Sequence, residues 1–101
     1  MKSIAYEIII LDRAQEEIDK AYEYYAEISL TALKSFDEQL EQLYQRLEPI
    51  LFFYSRYKNL RALPFKSFPF MAFFRIDEEE KSIYIYSVFN TSQNPEKYPK
   101  D

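Results

Sequence analysis

The sequence predicts an α+β fold in the order β-α-α-β-β-β, with a helical hairpin packed on a small, mainly antiparallel sheet. Three patterns lead to this prediction. A short β-branched run opens the chain, two amphipathic helical stretches follow it, and three strand-like runs fill the second half. A chain of 101 residues has room for one domain, which we expect to span residues 1–101.

The first strand and the first helix are separated by a change in hydrophobic period. Tyr6–Leu11 is apolar and β-branched, which is typical of a strand buried on at least one face. Asp12 is a suitable N-cap, and Gln15 stands three residues later, as in a capping box. Apolar residues then recur at helical spacing, so the helix is predicted from about Arg13 to about Glu27.

The second helix is predicted from a seam of large apolar residues in alternating steps of three and four. These residues are Leu33, Phe36, Leu40, Leu43 and Leu47. Ser29 can cap the helix, and Pro49 is predicted to end it at about Leu47 or Glu48. The short link between the helices predicts an antiparallel hairpin. The apolar stretch 50–57 is predicted to be a loop packed against the core.

Three further strands are predicted at Leu60–Phe65, Phe68–Ile76 and Ser82–Asn90, with a charged hairpin turn at Asp77–Lys81. Pro64 indicates a strand end or a sheet edge. Large residues alternate onto both faces of these strands. The face turned away from the helices should therefore be a partly exposed aromatic surface, which suggests a partner. The tail after the last strand predicts a turn and one helical turn.

Composition excludes several kinds of chemistry. The chain has no Cys, which excludes disulfides, thiolate catalysis and Cys-based metal sites. It has no His, the commonest metal ligand and the usual acid or base at neutral pH. No acidic spacing suggests a metal site, so we predict neither a metal nor a cofactor. Without a signal-peptide pattern or a stretch of membrane-spanning length, the expected location is cytoplasmic, with no membrane partner.

Charge is distributed unevenly along the chain. Residues 1–49 carry five Lys and Arg against eleven Asp and Glu, whereas residues 50–101 carry eight against six. The segment 50–76 has no acid and five cations, namely Arg56, Lys58, Arg61, Lys66 and Arg75. A basic, aromatic segment hints at an anionic partner. The alternative is that these cations lie on a solvated sheet and balance the acidic helices.

A series of motifs runs through the second half of the chain. They are Arg61-x-Leu63-Pro64, Phe68-Pro69-Phe70, Phe74-Arg75-Ile76-Asp77, Ile83-x-Ile85 and Val88-Phe89. The close of the chain, Asn90–Tyr98, and a first helix with the pair Tyr24-Tyr25 fit the same pattern. In order and spacing, over nearly its whole length, the chain resembles the RelE/ParE superfamily of toxins from type II toxin–antitoxin systems, the plasmid-stabilisation type.

The resemblance implies a small toxin encoded beside its antitoxin. In this family the antitoxin supplies an extended or helical segment that wraps the toxin and covers its sheet face. RelE-like members cleave mRNA in the ribosomal A site, and ParE-like members poison DNA gyrase. The implied partners are therefore a cognate antitoxin from an adjacent gene and either the ribosome with its mRNA or gyrase.

The resemblance points to Arg61 and Tyr98 as candidate catalytic residues, and strand alternation adds Arg75, at a position where family members vary. Arg61 matches an arginine that helps hold phosphate and stabilise charge in ribonuclease-type members, a role that suits a permanently charged guanidinium. Arg75 is expected on the candidate binding face, and Tyr98 resembles a tail aromatic that stacks on a base or donates a proton. The structural alternatives are an Arg61 ion pair with a helix acid, a solvated Arg75, and a Tyr98 that anchors the tail.

Four other residues are candidates for target binding: Lys58, Lys66, Asn90 and Gln93, together with Arg61. Asn90 and Gln93 stand where family members commonly have His and Arg. Their amides can form hydrogen bonds but carry no charge and no tunable proton, which weakens any acid–base role. An alternative follows: a degenerate, non-toxic member that binds its antitoxin or acts as a co-repressor. A third hypothesis is a small interaction domain with no antitoxin.

Overall fold

The computed structural model describes the backbone of residues 6–54 and 60–99, and the side chains of residues 6–47 and 60–99. Its element order confirms the predicted α+β fold. The elements are β1 (Glu7–Ile10), α1 (Asp12–Ile28), α2 (Leu30–Tyr54), β2 (Arg61–Pro64), β3 (Phe70–Asp77), β4 (Ser82–Asn90) and a short 3-10 helix (Pro95–Lys97). Within the described ranges, no helix is long and apolar enough to cross a bilayer.

The four strands form one mixed sheet in the order β1-β4-β3-β2. β1 runs parallel to β4, and the other neighbours are antiparallel. The register between β3 and β4 shifts where Phe73 lies opposite Ser87 but Phe74 lies opposite Ile85, which leaves Tyr86 as an extra residue in β4. Ile85 and Val88 are three positions apart, so a regular strand would place them on opposite faces. Because of this bulge, both belong to the core.

Both helices pack on one face of the sheet, and an aromatic cluster fills the space between them. Phe36 of α2 is fully buried and stacks on Tyr25 of α1, with ring centroids 5.3 Å apart. Phe65 and Phe70 surround the same ring at 6.0 and 5.5 Å. Complete burial of one such side chain contributes about 1.5–3 kcal/mol relative to exposure. The predicted seam of α2 is confirmed, except that Leu33 is only partly buried.

The predicted N-cap at Asp12 is wrong. Leu11 occupies the cap position in an extended conformation, and Asp12 is the first helical residue. The reason is that pairing of the first strand with β4 continues up to the residue before the helix. The N–H of Leu11 donates to Ile85 of β4 at 3.0 Å, and its carbonyl accepts from Gln15 at 2.9 Å. The side chain of Gln15 donates to Asp19 at 3.0 Å, so no capping box forms.

The second helix begins as predicted but ends later. The hydroxyl oxygen of Ser29 accepts from the N–H of Ala32 at 3.0 Å, which confirms the predicted cap. The predicted end before Pro49 is wrong, because α2 continues to Tyr54. A proline removes one N–H from the helical ladder, but the hydrogen bonds on either side of it can persist. The predicted loop is therefore helical over 50–54, and 55–57 lie outside the described residues.

All four predicted strands are present, and their ends differ from the prediction by one or two residues except in β4. β4 has the predicted bounds, and Pro64 is the last residue of an edge strand, as predicted. β3 begins at Phe70 and not at Phe68, because the chain turns there: the N–H of Phe70 donates to Phe68 at 2.8 Å. The β3–β4 turn contains Lys81 at a φ of 54°, in the left-handed region.

Candidate functional site

The sheet face turned away from the helices, called here the outer face, carries a second aromatic cluster. Phe73 and Phe89 are only 7% and 1% exposed, although neither belongs to the core on the helix side. The ring of Tyr98 packs over both, with centroids 5.0 and 4.8 Å away. The predicted aromatic surface is present, but the tail covers part of it. Tyr98 therefore has the contacts of a tail anchor.

Arg75 lies on the outer face, where the sequence predicts it. It alternates along β3 with Phe74 and Ile76, which are buried on the helix side. Its guanidinium carbon lies 5.5 Å from the centre of the Tyr86 ring, within range of a cation–π contact. Tyr86 is the bulged residue of β4, so the bulge supplies the ring beneath this cation. The arrangement presents a fixed positive charge beside the aromatic cluster.

Arg61 lies on the opposite face from Arg75. It is the first residue of β2 and pairs in register with Phe74, which points into the core. Residues directly opposite each other in a sheet share a face, so Arg61 starts on the helix side, at the sheet edge, where it is half-buried. Of the three candidate catalytic residues, the fold brings Arg75 and Tyr98 to one face and leaves Arg61 on the other.

The two remaining basic candidates do not lie on the described strands of the outer face. Lys66 is exposed in the connection between β2 and β3, and Lys58 lies outside the described residues. Among the described residues, no three acidic side chains are placed to hold a metal ion together.

Asn90 and Gln93 meet in a groove between α1 and the last part of β4, called here the edge groove. It has a volume of about 460 Å³, within the range of ligand-binding clefts. Its lining residues are Glu17, Lys20, Ala21, Tyr24, Tyr25, Pro69, Phe70, Val88, Asn90, Ser92 and Gln93. Asn90 is partly committed to the local turn, since its side-chain oxygen accepts from the N–H and the hydroxyl of Ser92 at 2.9 and 2.5 Å.

Glu17 is a residue of this site that sequence reasoning missed. One carboxylate oxygen accepts from the hydroxyl of Ser87 at 2.7 Å and from the N–H of Val88 at 2.9 Å. The other accepts from Arg13 at 3.1 Å. Arg13 also donates to the carbonyl of Lys97 at 2.5 Å, which ties the tail to α1. The available signal was the Arg13–Glu17 pair, one helical turn apart and in line with buried positions of α1.

The helical hairpin is acidic, and its half-buried phenols, those of Tyr22 and Tyr44, are poor acids. The phenol of Tyr22 donates to Asp37 at 2.6 Å, and burial first, then this carboxylate, raises the pKa of Tyr22. Burial, reinforced by Glu41 and Asp37, raises the pKa of Tyr44 to about 12. Both phenols remain protonated at neutral pH. Neither therefore supplies a general base, and the phenol of Tyr22 acts as a hydrogen-bond donor to Asp37.

The family model for the ParE toxin of the type II toxin–antitoxin system parDE matches residues 8–95. The chain belongs to the ParE toxin family. The matched range includes Arg61, Arg75, Asn90 and Gln93 and ends before Tyr98. The search of curated proteins found no match to this chain.

A solved structure agrees with the fold of the ParE-family chain. It is that of a chromosomal ParDE toxin–antitoxin system from P. aeruginosa, which matches with a TM-score of 0.58 and 18% sequence identity. The similarity covers 87% of this chain and 98% of the other. At this identity the likeness supports the architecture of helical hairpin and mixed sheet, and the residues of the site have to be argued from their own geometry.

Proposed function

We propose that this chain is the toxin of a ParDE-type pair, held inactive by an antitoxin from an adjacent gene, and that it acts in the cytoplasm by binding DNA gyrase. Membership of the ParE toxin family supports the toxin role and the antitoxin partner. The observation that carries the choice of mechanism is the placement of Arg61 and Arg75 on opposite faces of the sheet. A protein target can be bound by the outer face alone.

Binding is favoured over mRNA cleavage by the chemistry of the chain. Cleavage needs a positioned proton donor or acceptor and stabilisation of the phosphate charge. The sequence has no His, and a net charge of -4 opposes attraction of a polyanion. Tyr98 is packed edge-on against Phe89, and Arg75 lies over Tyr86. These contacts suit a surface that recognises a partner by shape, aromatic area and one central cation.

A second candidate is a binding-only family member that partners its antitoxin or acts as a co-repressor. The engagement of Asn90 in its own turn favours this function, because its side-chain oxygen already accepts two hydrogen bonds from Ser92. An amide used in this way contributes less to the recognition of an external group. The antitoxin partner is common to both candidates.

Tightly induced expression in a host that lacks the antitoxin separates these functions. The proposed function predicts growth arrest, rescue by the adjacent gene, and inhibition of DNA supercoiling by purified gyrase. Arrest with intact supercoiling and cleaved mRNA on ribosomes would instead indicate a ribonuclease. Normal growth, with folded chain recovered as a complex with the adjacent gene product, would favour the binding-only partner.

Two single substitutions locate the activity on the sheet. Arg75→Ala removes the cation of the outer face and should weaken gyrase inhibition by about tenfold or more, since central arginines often dominate interfaces. Lys34→Ala removes an exposed cation from α2, which packs on the other face of the sheet, and should leave inhibition unchanged. Arg61→Ala tests the other mechanism: loss of mRNA cleavage in this variant would support a ribonuclease, and unchanged cleavage would remove Arg61 from the site.

A further inference from the structure

A row of three side chains crosses the outer face, with one residue from each of three neighbouring strands. Ile9 of β1 pairs in register with Tyr84 of β4, and Tyr84 pairs with Arg75 of β3. Residues directly opposite each other in a sheet share a face, so the three side chains lie together, and each is half-buried. Of the described strand residues on this face, Arg75 is the one cation. Its neighbours in the row are apolar or aromatic.

The bulge in β4 brings a second tyrosine to Arg75. Tyr86 is the extra residue of β4 at this point, and the centre of its ring lies 5.5 Å from the guanidinium carbon of Arg75. The hydroxyl of Tyr84 donates to Glu80 at 2.5 Å, which holds the other ring toward the β3–β4 turn. Arg75 is therefore accompanied by two tyrosine rings, one opposite it in register and one supplied by the bulge.

The surroundings of Arg75 strengthen its interaction with an opposite charge. Phe73 lies two positions earlier on the same face and is covered by Tyr98, whose ring centroid is 5.0 Å away. These rings keep water from part of the half-buried guanidinium, and a charge pair in such surroundings is stronger than one in open solvent. A guanidinium beside an aromatic ring still offers N–H groups to a carboxylate, because its donors lie along the edge of a planar group.

We propose that the outer face recognises an acidic side chain that the target carries within an apolar segment. Arg75 binds the carboxylate through its guanidinium N–H groups, and Tyr86 is a positioning residue that holds the guanidinium toward it. The apolar part of the segment packs on Ile9 and Tyr84. That the target is gyrase rests on the proposed function, whereas the chemistry of the recognised group rests on the geometry of this face.

A carboxylate of a protein fits this surface better than the backbone of a nucleic acid. Binding to a nucleic acid is built from several contacts between cations and phosphates, and the described strands of the outer face provide one cation. The net charge of -4 further opposes a polyanion. Arginine and tyrosine, in contrast, are enriched among the residues that dominate protein–protein interfaces.

Charge substitutions at Arg75 test the recognised group. The Kd of the full chain for purified gyrase is measured by calorimetry, after circular dichroism has shown that each variant is folded. Arg75→Gln should raise the Kd by about tenfold, and Arg75→Glu by about a further tenfold, because it places two like charges together. Lys34→Glu is the matched control. It reverses an exposed charge on α2, on the other side of the sheet, and should leave the Kd within about twofold.

The difference between the two Arg75 variants should shrink between about 50 mM and about 500 mM NaCl, because salt screens exposed charges. If gyrase binds the wild-type chain but Arg75→Gln and Arg75→Glu have the same Kd, the acidic group is wrong and the proposed function stands.

A double-mutant cycle tests the role of Tyr86. Tyr86→Ala should raise the Kd by about threefold or more in the wild-type background, and by less than about twofold in the Arg75→Gln background. Tyr86→Phe keeps the ring and should restore wild-type binding. A loss of the same size in both backgrounds would show that Tyr86 contacts the target independently, which overturns its positioning role.

Peptide probes test the face separately if gyrase does not bind the wild-type chain, a result that would count against the proposed function. One probe is a peptide of about ten residues, built from Leu, Ala and Ser with a single central Glu, and the other carries Gln in its place. The Nε–Hε resonance of Arg75 reports binding. The Glu peptide should bind with a Kd at least about threefold lower than that of the Gln peptide. Equal or absent responses to the two peptides, or tighter binding of a single-stranded oligoribonucleotide at about 150 mM salt, would overturn the proposal.

Discussion

The two faces of the sheet are closed in different ways. On the helix side, α1 and α2 cover the sheet with a continuous core in which Phe36 touches rings from three other segments. On the outer face, the tail residue Tyr98 covers Phe73 and Phe89. A hydrogen bond from Arg13 to Lys97 ties this tail to the rest of the fold.

Because the two faces are covered differently, we expect one face to determine stability and the other to determine partner recognition. A core closed by two helices resists opening because many contacts are lost together. A surface covered by a short tail can open at a much smaller cost in free energy. Arg75 and Tyr86 lie beside the tail and are half-exposed. The helix side should therefore set the free energy of unfolding, and the outer face should set partner binding. Four substitutions test how much each part of the molecule contributes to stability.

Phe36→Ala should have the largest effect, because it removes the ring at the centre of the helix-side core. The expected loss is about 3–5 kcal/mol in the free energy of unfolding, measured by urea denaturation. Ala62→Ser, at an exposed position of β2, should change it by less than about 0.5 kcal/mol. A loss below about 1 kcal/mol for Phe36→Ala would show that the helix side is not the dominant core.

Glu17→Ala should have the next largest effect, because the residue joins α1 to the last part of β4. It leaves the buried hydroxyl of Ser87 and the N–H of Val88 without their carboxylate. The expected loss is about 1–3 kcal/mol. Glu16→Ala is a matched control, an exposed acid one position away, and should be nearly neutral. Equal losses in the two variants would contradict the described role of Glu17.

Tyr98→Ala should cost about 1–2 kcal/mol, because it removes two aromatic contacts from the outer face. It should also increase the binding of a hydrophobic dye and speed amide exchange around Phe73 and Phe89. Tyr98→Phe keeps the ring and should behave like the wild type in both measurements. If Tyr98→Ala leaves dye binding unchanged, the tail is not the cover of this face.

The smallest effect concerns pH. The pKa of Tyr44 is raised from 10.0 to about 12 in the folded chain. Above pH 10 the unfolded chain loses this proton while the folded chain keeps it, so the stability that Tyr44 contributes below pH 10 falls as pH rises through about 12. Tyr44→Phe should make this alkaline decline shallower, with Tyr22 still contributing to it. Tyr24→Phe, at an exposed position, should leave it as in the wild type. A decline of unchanged slope in Tyr44→Phe would count against this role.

Periodicity allowed most elements to be predicted, because it reflects which side of each element meets the core. The seam of α2 and the bounds of β4 follow from this signal. The end of α2 did not, since one proline only biases a helix that tertiary contacts can extend. The cap at Asp12 also failed, because pairing of Leu11 with β4 set where α1 begins.

Less of the candidate site could be predicted from the sequence, because the face on which a strand residue lies depends on how that strand pairs with its neighbour. The outward position of Arg75 follows from alternation within one strand. The position of Arg61 depends on its pairing with Phe74, which the pattern of β2 alone does not give. Glu17 is one of several acids on α1, and its contact with Ser87 and Val88 spans about seventy positions of the chain. Roles of this kind arise from long-range packing.

The bulge at Tyr86 has an evolutionary consequence. Ile83 and Ile85 point toward the helices, and so does Val88, because one residue between them is surplus to the alternation of the strand. Deleting that residue would leave the buried positions on both sides in place, so an insertion or a loss at this point is compatible with the fold. A relative that lacks this residue should also lack the ring under the cation.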